Sequence, residues 1–296
     1  MILVTGASGF IGKHLLRSLV NIYGRENVVA LTSLPLADYT CLLHKGYEFD
    51  IDFFRASGYG SIHTVIHAGA FIPKSAKDAN YLKGCNSNIW TTKKILDCEL
   101  PQLQKFIFIS TVDIYGISDI ITEETNINPV SLYGLSKYYC ERMIETWGKE
   151  KSVITQILRI GHVYGPGEES FQKIIPITFK KLVNNQAPQL LGSGEEKRSF
   201  IFINDVIKSI INSLGLKELV GPVNLVSTQV ISIRQLLDLL IKISGKNVVI
   251  ETISETLKGR DLVFDNNKMK DFLLDSETPL REGLTEEWNY MKQLQV

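Results

Sequence analysis

The sequence predicts an α/β fold, a doubly wound parallel sheet with helices on both faces. Two observations predict it: short apolar runs alternate with helical patterns through the first half of the chain, and a glycine-rich turn joins the first run to the first helix. Alternation of this kind produces βαβ units, whose right-handed crossovers place helices on both faces of the sheet. We therefore expect such a sheet, followed by a smaller C-terminal domain that closes a cleft above the strand ends.

The expected elements follow from the spacing of apolar residues, which has a period of two in strands and about 3.6 in helices. In the first half, strands are expected at 2–5, 27–32, 64–67, 105–110 and 153–160, and helices at 10–20, 88–100 and 135–149. In the second half, we expect a loop at 161–170, helices at 174–183, 205–214 and 233–243, and strands at 200–203 and 223–226. These patterns divide the chain into a nucleotide-binding domain, 1–163, and a mainly substrate-binding domain, 164–296, with some segments returning to the first.

Composition excludes several classes of function. The 296 residues carry 32 basic and 32 acidic side chains, and this zero net charge argues against a general nucleic-acid binder. Four cysteines without a CxxC pair suit reduced thiols in the cytoplasm. No apolar run has membrane-spanning length and no secretory pattern precedes the first strand, so we expect a cytoplasmic protein without a membrane partner.

The glycine-rich turn occupies positions 5–12, TGASGFIG, between the first strand and the first helix. Gly6, Gly9 and Gly12 permit a tight turn and a close approach of the backbone to a pyrophosphate, which the free N–H groups of the helix N-terminus then bind. We therefore predict a Rossmann dinucleotide site here; the alternative is an ordinary tight turn. The other turn residues expected to contact the dinucleotide are Ser8, Phe10 and Ile11.

The end of the second strand bears on the choice of dinucleotide. An acidic residue there usually binds the adenosine ribose of NAD, but this strand ends in Thr32 and Ser33. Small hydroxyls tolerate a 2′-phosphate better than a carboxylate does, which favours NADP. No arginine or lysine follows before Lys45, so NAD stays an alternative.

A tyrosine and a lysine are the candidate catalytic pair. Tyr133 and Lys137 lie four residues apart at a helix start, which places them on one helical face. A nearby ammonium lowers the pKa of a phenol, so this tyrosine could exchange a proton with a sugar hydroxyl or carbonyl during hydride transfer. Thr111 follows a strand at its C-terminal end, where ligands bind in open sheets, and Asp113 is two residues further on.

Together these residues resemble the extended short-chain dehydrogenase/reductase family, in particular its nucleotide-sugar epimerases, dehydratases and 4-ketoreductases. The turn resembles the family's TGxxGxxG, the segment around Thr111 its Ser/Thr motif, and Tyr133 and Lys137 its YxxxK. The resemblance implies that Lys137 also holds the nicotinamide ribose. It implies further cofactor contacts at Asp50 and Ile51, at the segment His67, Ala68 and Gly69, and at Asn88, with Asn86 as the alternative to Asn88.

The resemblance extends into the second half of the chain. The segment from Arg159 to Gly167 resembles RxxNxYGPG, with His162 in place of the usual asparagine. Arg198 and Arg260 lie in motifs that imply a clamp on the substrate diphosphate, because arginine forks match phosphate oxygens. By the same resemblance, Asp113 and His162 are expected to contact the substrate.

The resemblance implies a nucleotide-diphosphate sugar as substrate, in a pathway of deoxysugar or polysaccharide biosynthesis, and a homodimer. We expect 4-keto reduction that consumes NADP; an NAD-dependent 4-epimerase is the alternative, since both transfer hydride at sugar C4. A dehydratase ranks lower, because Val112 replaces the acidic neighbour that one dehydratase group carries beside Asp113. A non-catalytic dinucleotide-binding protein and an RNA-binding relative stay open, and no metal site is expected, since His63 and His67 are poorly placed for one.

Overall fold

The computed structural model describes residues 1–254 and 259–294. Its strands are β1 Ile2–Thr5, β2 Val28–Thr32, β3 Cys41–Leu43, β4 Thr64–His67, β5 Lys105–Thr111, β6 Ile154–Ile160, β7 His162–Tyr164, β8 Gln189–Leu191, β9 Lys197–Phe202, β10 Val223–Leu225, β11 Val230–Ser232 and β12 Glu251–Ser254. Its α-helices are α1 Phe10–Tyr23, α2 Ile51–Ala56, α3 Leu82–Leu96, α4 Leu132–Lys151, α5 Ile174–Val183, α6 Ile203–Ser213, α7 Ile233–Ser244, α8 Asn267–Phe272 and α9 Leu280–Gln293.

A seven-stranded parallel sheet forms the centre of the molecule, in the order β10-β6-β5-β4-β1-β2-β3. Successive side chains of a strand point to opposite faces, so Val4 packs with the core around α1 and α6, whereas Leu3 packs with the core around α3 and α4. Both faces are therefore covered, which explains why the central strands are continuously apolar. The strand order reverses between β1 and β4, and the predicted doubly wound sheet is confirmed.

The second half of the chain adds two small sheets beside the C-terminal ends of the main strands. One contains β11, β9 and β7, and the other contains β12 and β8. Helices α5, α7 and α9 pack against one another next to them, whereas α6 packs on α1. Strand β10 leaves this half and pairs with β6 over Val223–Leu225, so the main sheet takes its last strand from the second half.

Two local predictions were wrong, and seven elements were not predicted: α2, β3, β8, β11, β12, α8 and α9. Helix α3 covers 82–96 rather than 88–100; Gly84 weakens the helical pattern there, but the Phe71 ring packs 2.7 Å from the position that a Cβ of Gly84 would occupy. The expected loop 161–170 contains β7, which pairs with β9 about forty residues further along the chain. Strand β3 was not predicted at all. Both strands have three residues, too few for a visible period.

A buried ion pair joins the sheet to α4. The guanidinium of Arg159 on β6 donates to the carboxylate of Glu141 on α4 at 2.8 Å, and the hydroxyl of Ser110 on β5 donates to the same carboxylate. Arg159 also donates to the Tyr115 hydroxyl at 2.7 Å, which in turn donates to Asn224 on β10 at 2.7 Å. The pair is desolvated, since the two charged side chains are 6% and 1% exposed. Three strands and one helix are thereby held in register.

Within the described ranges, no helix is long and apolar enough to cross a membrane. All four cysteines are unpaired. The part of the chain that the structure describes contains no group of three or more histidine, cysteine, aspartate or glutamate side chains arranged to hold a metal ion.

The buried pair generates a stability prediction. Replacing Arg159 by methionine alone should lower the free energy of unfolding by about 3–5 kcal/mol, because it leaves the Glu141 carboxylate buried and unpaired. The double variant Arg159→Met, Glu141→Leu should recover most of that loss. Urea unfolding of wild type, both single variants and the double variant measures the coupling. A double variant as unstable as the sum of the two singles would contradict a direct pairing.

Candidate active site

The principal cleft lies above the C-terminal ends of the central strands and has a volume of about 680 Å³. Its position at the reversal of strand order is where open α/β sheets bind ligands. The predicted residues that line it are Gly6, Ser8, Gly9, Phe10, Ile11, Gly12, Thr32, Ser33, His67, Ala68, Gly69, Thr111, Asp113, Tyr133, Lys137 and His162. These residues come from six separate segments of the chain, which thus meet in one cavity.

The glycine-rich turn passes close to the segment that follows β4. Gly6 has a φ of +67°, and a Cβ there would lie 2.5 Å from the backbone nitrogen of Gly69. Any side chain would therefore push the two segments apart. Helix α1 begins after Gly9 without a side-chain cap and without an acidic residue in its first turn. Its free N–H groups and positive dipole fit the pyrophosphate of a dinucleotide.

A buried histidine ties the two segments together. The Nδ1 atom of His67 lies 2.7 Å from the Thr5 hydroxyl, and its Nε2 lies 3.0 Å from the Thr92 hydroxyl. The Thr5 hydroxyl also accepts from the Gly69 N–H at 3.0 Å, and Thr92 donates to the Asn88 carbonyl. Burial, and the charge of Lys137, lower the pKa of His67 to about 3. We assign the neutral ring with its proton on Nε2, which satisfies every partner.

The opposite end of the cleft is lined by Thr32 and Ser33 together with His44 and Tyr47. The Thr32 hydroxyl donates to the Leu34 carbonyl at 3.0 Å, so a local turn already occupies it. The His44 ring stacks on Tyr47 with 4.6 Å between ring centroids. Neither a carboxylate nor an ammonium lines this end in the described ranges, so charge selects neither NAD nor NADP there. Neither aromatic residue was predicted, because the loop that carries them has no motif.

Tyr133 and Lys137 lie on the first turns of α4, whose N-cap is Ser131. The start of this helix packs tightly on the turn after β5, since a Cβ on Gly134 would lie 2.6 Å from the Asp113 carbonyl oxygen. That contact places Tyr133 beside Thr111 at the end of β5. The Lys137 ammonium donates to the Ile109 carbonyl at 2.6 Å and lies 4.0 Å from the centroid of the Phe108 ring.

Burial dominates the electrostatics of this pair. It raises the pKa of Tyr133, the Asp113 carboxylate raises it further, and the Thr111 hydroxyl acts in the opposite sense. Burial also lowers the pKa of Lys137 to about 8. The expected lowering of the phenol pKa by Lys137 is thus not seen, because the Ile109 carbonyl holds the ammonium and Asp113 is the charge that acts on the phenol. Burial therefore favours the neutral phenol of Tyr133 and weakens the preference of Lys137 for its charged form.

A second cavity of about 190 Å³ adjoins the cleft and shares His162, Val163 and Lys173 with it. Arg198 lines this second cavity. Burial and the charges of Arg198 and Lys173 lower the pKa of His162 to about 4, and its buried Nδ1 has no hydrogen-bond partner among the residues that the structure describes. Lys173 donates to the Glu168 carboxylate at 3.2 Å and to the Val163 carbonyl at 3.0 Å. Sequence analysis missed Lys173, because only the fold turns it towards the cleft.

Four predicted residues line neither of the two cavities. Asp50 caps α2 by accepting from the Phe53 N–H, and Ile51 begins that helix. Asn88 is buried behind the cleft, where its carboxamide hydrogen-bonds the backbone of residue 71 and the Ser136 hydroxyl. Arg260 is exposed, and its carbonyl accepts from the Arg198 guanidinium. Asn88 thus supports the cleft wall, whereas Asp50 and Ile51 support a neighbouring helix.

The fold and the cleft define a dinucleotide-binding protein with an oxidoreductase-type Tyr–Lys site. A sequence model of the NAD-dependent epimerase/dehydratase family matches residues 2–221, and the chain belongs to this family. The resemblance to the extended short-chain dehydrogenases is therefore confirmed.

Three comparisons describe its relatives. The chain is 29% identical to an uncharacterized UDP-glucose epimerase, YtcB, of Bacillus subtilis (strain 168), over 99% of this chain and 98% of that protein. The UDP-glucuronic acid 4-epimerase of Bacillus cereus, solved in complex with NAD, is 27% identical with a TM-score of 0.84, over 99% of both chains. A dTDP-4-dehydro-6-deoxyglucose reductase of Escherichia coli is 29% identical over 84% of this chain and 83% of its own.

The neutral His67 generates a pH prediction. Its pKa is about 3 in the folded protein and near 6.5 when exposed, so the unfolded state binds more protons between these values. The free energy of unfolding should therefore fall as pH drops from about 6.5, by up to roughly 5 kcal/mol from this group. His67→Gln should show a shallower fall, with the part due to His162 retained. Urea unfolding of wild type and His67→Gln at several pH values measures this fall. The same pH dependence of the free energy of unfolding in both proteins would contradict the assignment of a neutral, buried His67.

Proposed function

We propose that this chain is an NAD-dependent 4-epimerase of a nucleotide-diphosphate sugar. The observation that supports the proposal is that Thr111, Tyr133 and Lys137 line one cleft. The glycine-rich turn and the uncapped N-terminus of α1 lie beside them. The full-length relatives named as epimerases support it. A protein that only bound a dinucleotide would not require a buried phenol and ammonium next to a hydroxyl.

Each side chain has a distinct role in this proposal. Tyr133 takes the proton of the sugar C4 hydroxyl. It returns this proton after the sugar has rotated in the cleft. Thr111 donates a hydrogen bond to the reacting oxygen, since its own oxygen already accepts from the Asp113 N–H at 3.2 Å. Lys137, fixed by the Ile109 carbonyl, orients the nicotinamide ribose.

The residues of the glycine turn fit NAD, because Gly6 leaves no Cβ between the turn and a pyrophosphate and α1 offers free N–H groups. When bound, NAD would supply a hydride acceptor for the sugar C4 and a positive charge that would favour ionisation of the Tyr133 phenol.

Substrate binding is proposed to involve the second cavity. Arg198 and Arg260 would hold the diphosphate, and the unpartnered Nδ1 of His162 would face the same group. Exposed Trp90 on α3, with Leu135 and Tyr139 on α4, forms an apolar surface on two helices that pack together. We propose that this surface pairs with its copy in a homodimer.

A 4-ketoreductase is the second candidate, favoured by the absence of a carboxylate at Thr32 and Ser33 and by the reductase relative. Mass and absorbance analysis of nucleotide that copurifies, followed by titration of stripped protein with NADH and NADPH, separates the two. We expect bound NAD that survives purification, as a recycled cofactor requires. An empty site that binds NADPH much more tightly would instead favour the reductase, and binding of neither would exclude both.

Removal of the phenol hydroxyl tests the assigned acid and base. Tyr133→Phe should lower kcat for C4 epimerisation by about 10²–10⁴-fold while NAD binding stays near wild type, because the hydroxyl acts on the reacting proton. The matched control is Tyr138→Phe, on the same helix but outside the cleft, which should retain turnover. Epimerisation by the Tyr133 variant at the wild-type rate would show that another group moves the proton.

A further inference from the structure

We propose that Asp113 selects the sugar: it accepts a hydrogen bond from a hydroxyl next to the reacting carbon and excludes uronic acids. This inference rests on the proposed function, since it concerns the sugar whose C4 reacts. Its basis is the position of a carboxylate, without an ion-pair partner in the described part of the chain, beside the groups assigned to catalysis.

The position of Asp113 is fixed by its neighbours. It lies on a short turn, Val112–Ile114, directly after β5, and its side chain lines the cleft with Thr111 and Tyr133. The Thr111 hydroxyl is within hydrogen-bonding distance of both the Asp113 carboxyl and the Tyr133 phenol, so the three groups are adjacent. The turn is held in place against α4, because the backbone of Gly134 packs against the Asp113 carbonyl.

The charges around Asp113 do not neutralise it. Burial raises the pKa of the Asp113 carboxyl, whereas Arg260 and the Thr111 hydroxyl favour its ionised form. No lysine or arginine of the described ranges forms an ion pair with it. Lys173, which also lines the cleft, is paired with Glu168. The Thr111 hydroxyl is one hydrogen-bond partner of this carboxyl, and the remaining acceptor positions of Asp113 face the cleft, where a substrate hydroxyl can donate to them.

The chemistry of the sugar identifies that donor. The carbons that flank C4 carry the C3 hydroxyl and the C5 substituent, which is a hydroxymethyl group in a neutral hexose and a carboxylate in a uronic acid. Hydroxyls can donate to Asp113, whereas two carboxylates in one site repel each other and one must take up a proton. At a separation of roughly 6 Å and an effective dielectric constant of about 20, this repulsion corresponds to about 100-fold in affinity.

The test compares UDP-glucose with UDP-glucuronate on NAD-loaded wild type and Asp113→Asn. Both kcat/KM and Kd are measured, the latter by calorimetric titration. Wild type should prefer UDP-glucose by about 100-fold in both quantities. Asp113→Asn should bring the ratio within about tenfold, mainly by improved binding of UDP-glucuronate. The matched control, Asp119→Asn, removes an exposed carboxylate of the neighbouring loop and should leave the ratio unchanged.

Three results would overturn the proposal. Wild type could use both sugars equally, the Asn variant could keep the wild-type ratio, or wild type could form a dehydrated 4-keto product that the Asn variant does not, which would make Asp113 a catalytic acid or base. Failure of the proposed function is distinguishable, because wild type would then convert neither sugar at C4 although it holds NAD; that result would overturn both statements.

Discussion

The ion pair between Arg159 and Glu141 is the interaction on which the active site depends. It lies beneath the cleft and connects β6 to the middle of α4, while Ser110 adds β5 to the same carboxylate. Tyr133 and Lys137 are carried by the first turns of that helix, and Thr111 is the residue after Ser110. The separation between the Tyr133 phenol and the Thr111 hydroxyl is therefore fixed by two opposite charges that are buried away from solvent. Small errors in this separation would be costly for proton transfer.

Burial sets the electrostatics of the active site. Desolvation favours the neutral phenol of Tyr133, raises the pKa of the Asp113 carboxyl and lowers the pKa of Lys137 to about 8. His67 is neutral for the same reason, and it connects the glycine-rich turn to the segment after β4 without adding charge. Desolvation is thus the common cause of these shifts.

Local patterns in the sequence were sufficient for six of the seven main strands, for the glycine turn and for the helix that carries Tyr133 and Lys137, because each is visible within one short segment. Strands β3 and β7 could not be found, since they consist of three residues and exist through pairing with distant partners. Lys173 and Tyr47 were missed for a related reason: loops point them into the cleft, and loop direction is set by tertiary contacts. Asn88 had been placed at the cofactor by motif, yet its carboxamide is used to hold the cleft wall.

Strand β10 has a consequence for how this chain can be divided. It comes from the second half of the sequence but completes the main sheet beside β6, and its Asn224 accepts the hydroxyl of Tyr115, the last member of the buried network. A fragment that ended before Val223 would leave β6 as an open edge with unpaired backbone groups and an unsatisfied phenol beneath the site. The two halves are therefore not modules that recombination could exchange at a simple junction. A graft of a new sugar-binding half onto this nucleotide-binding half would have to carry a matching seventh strand.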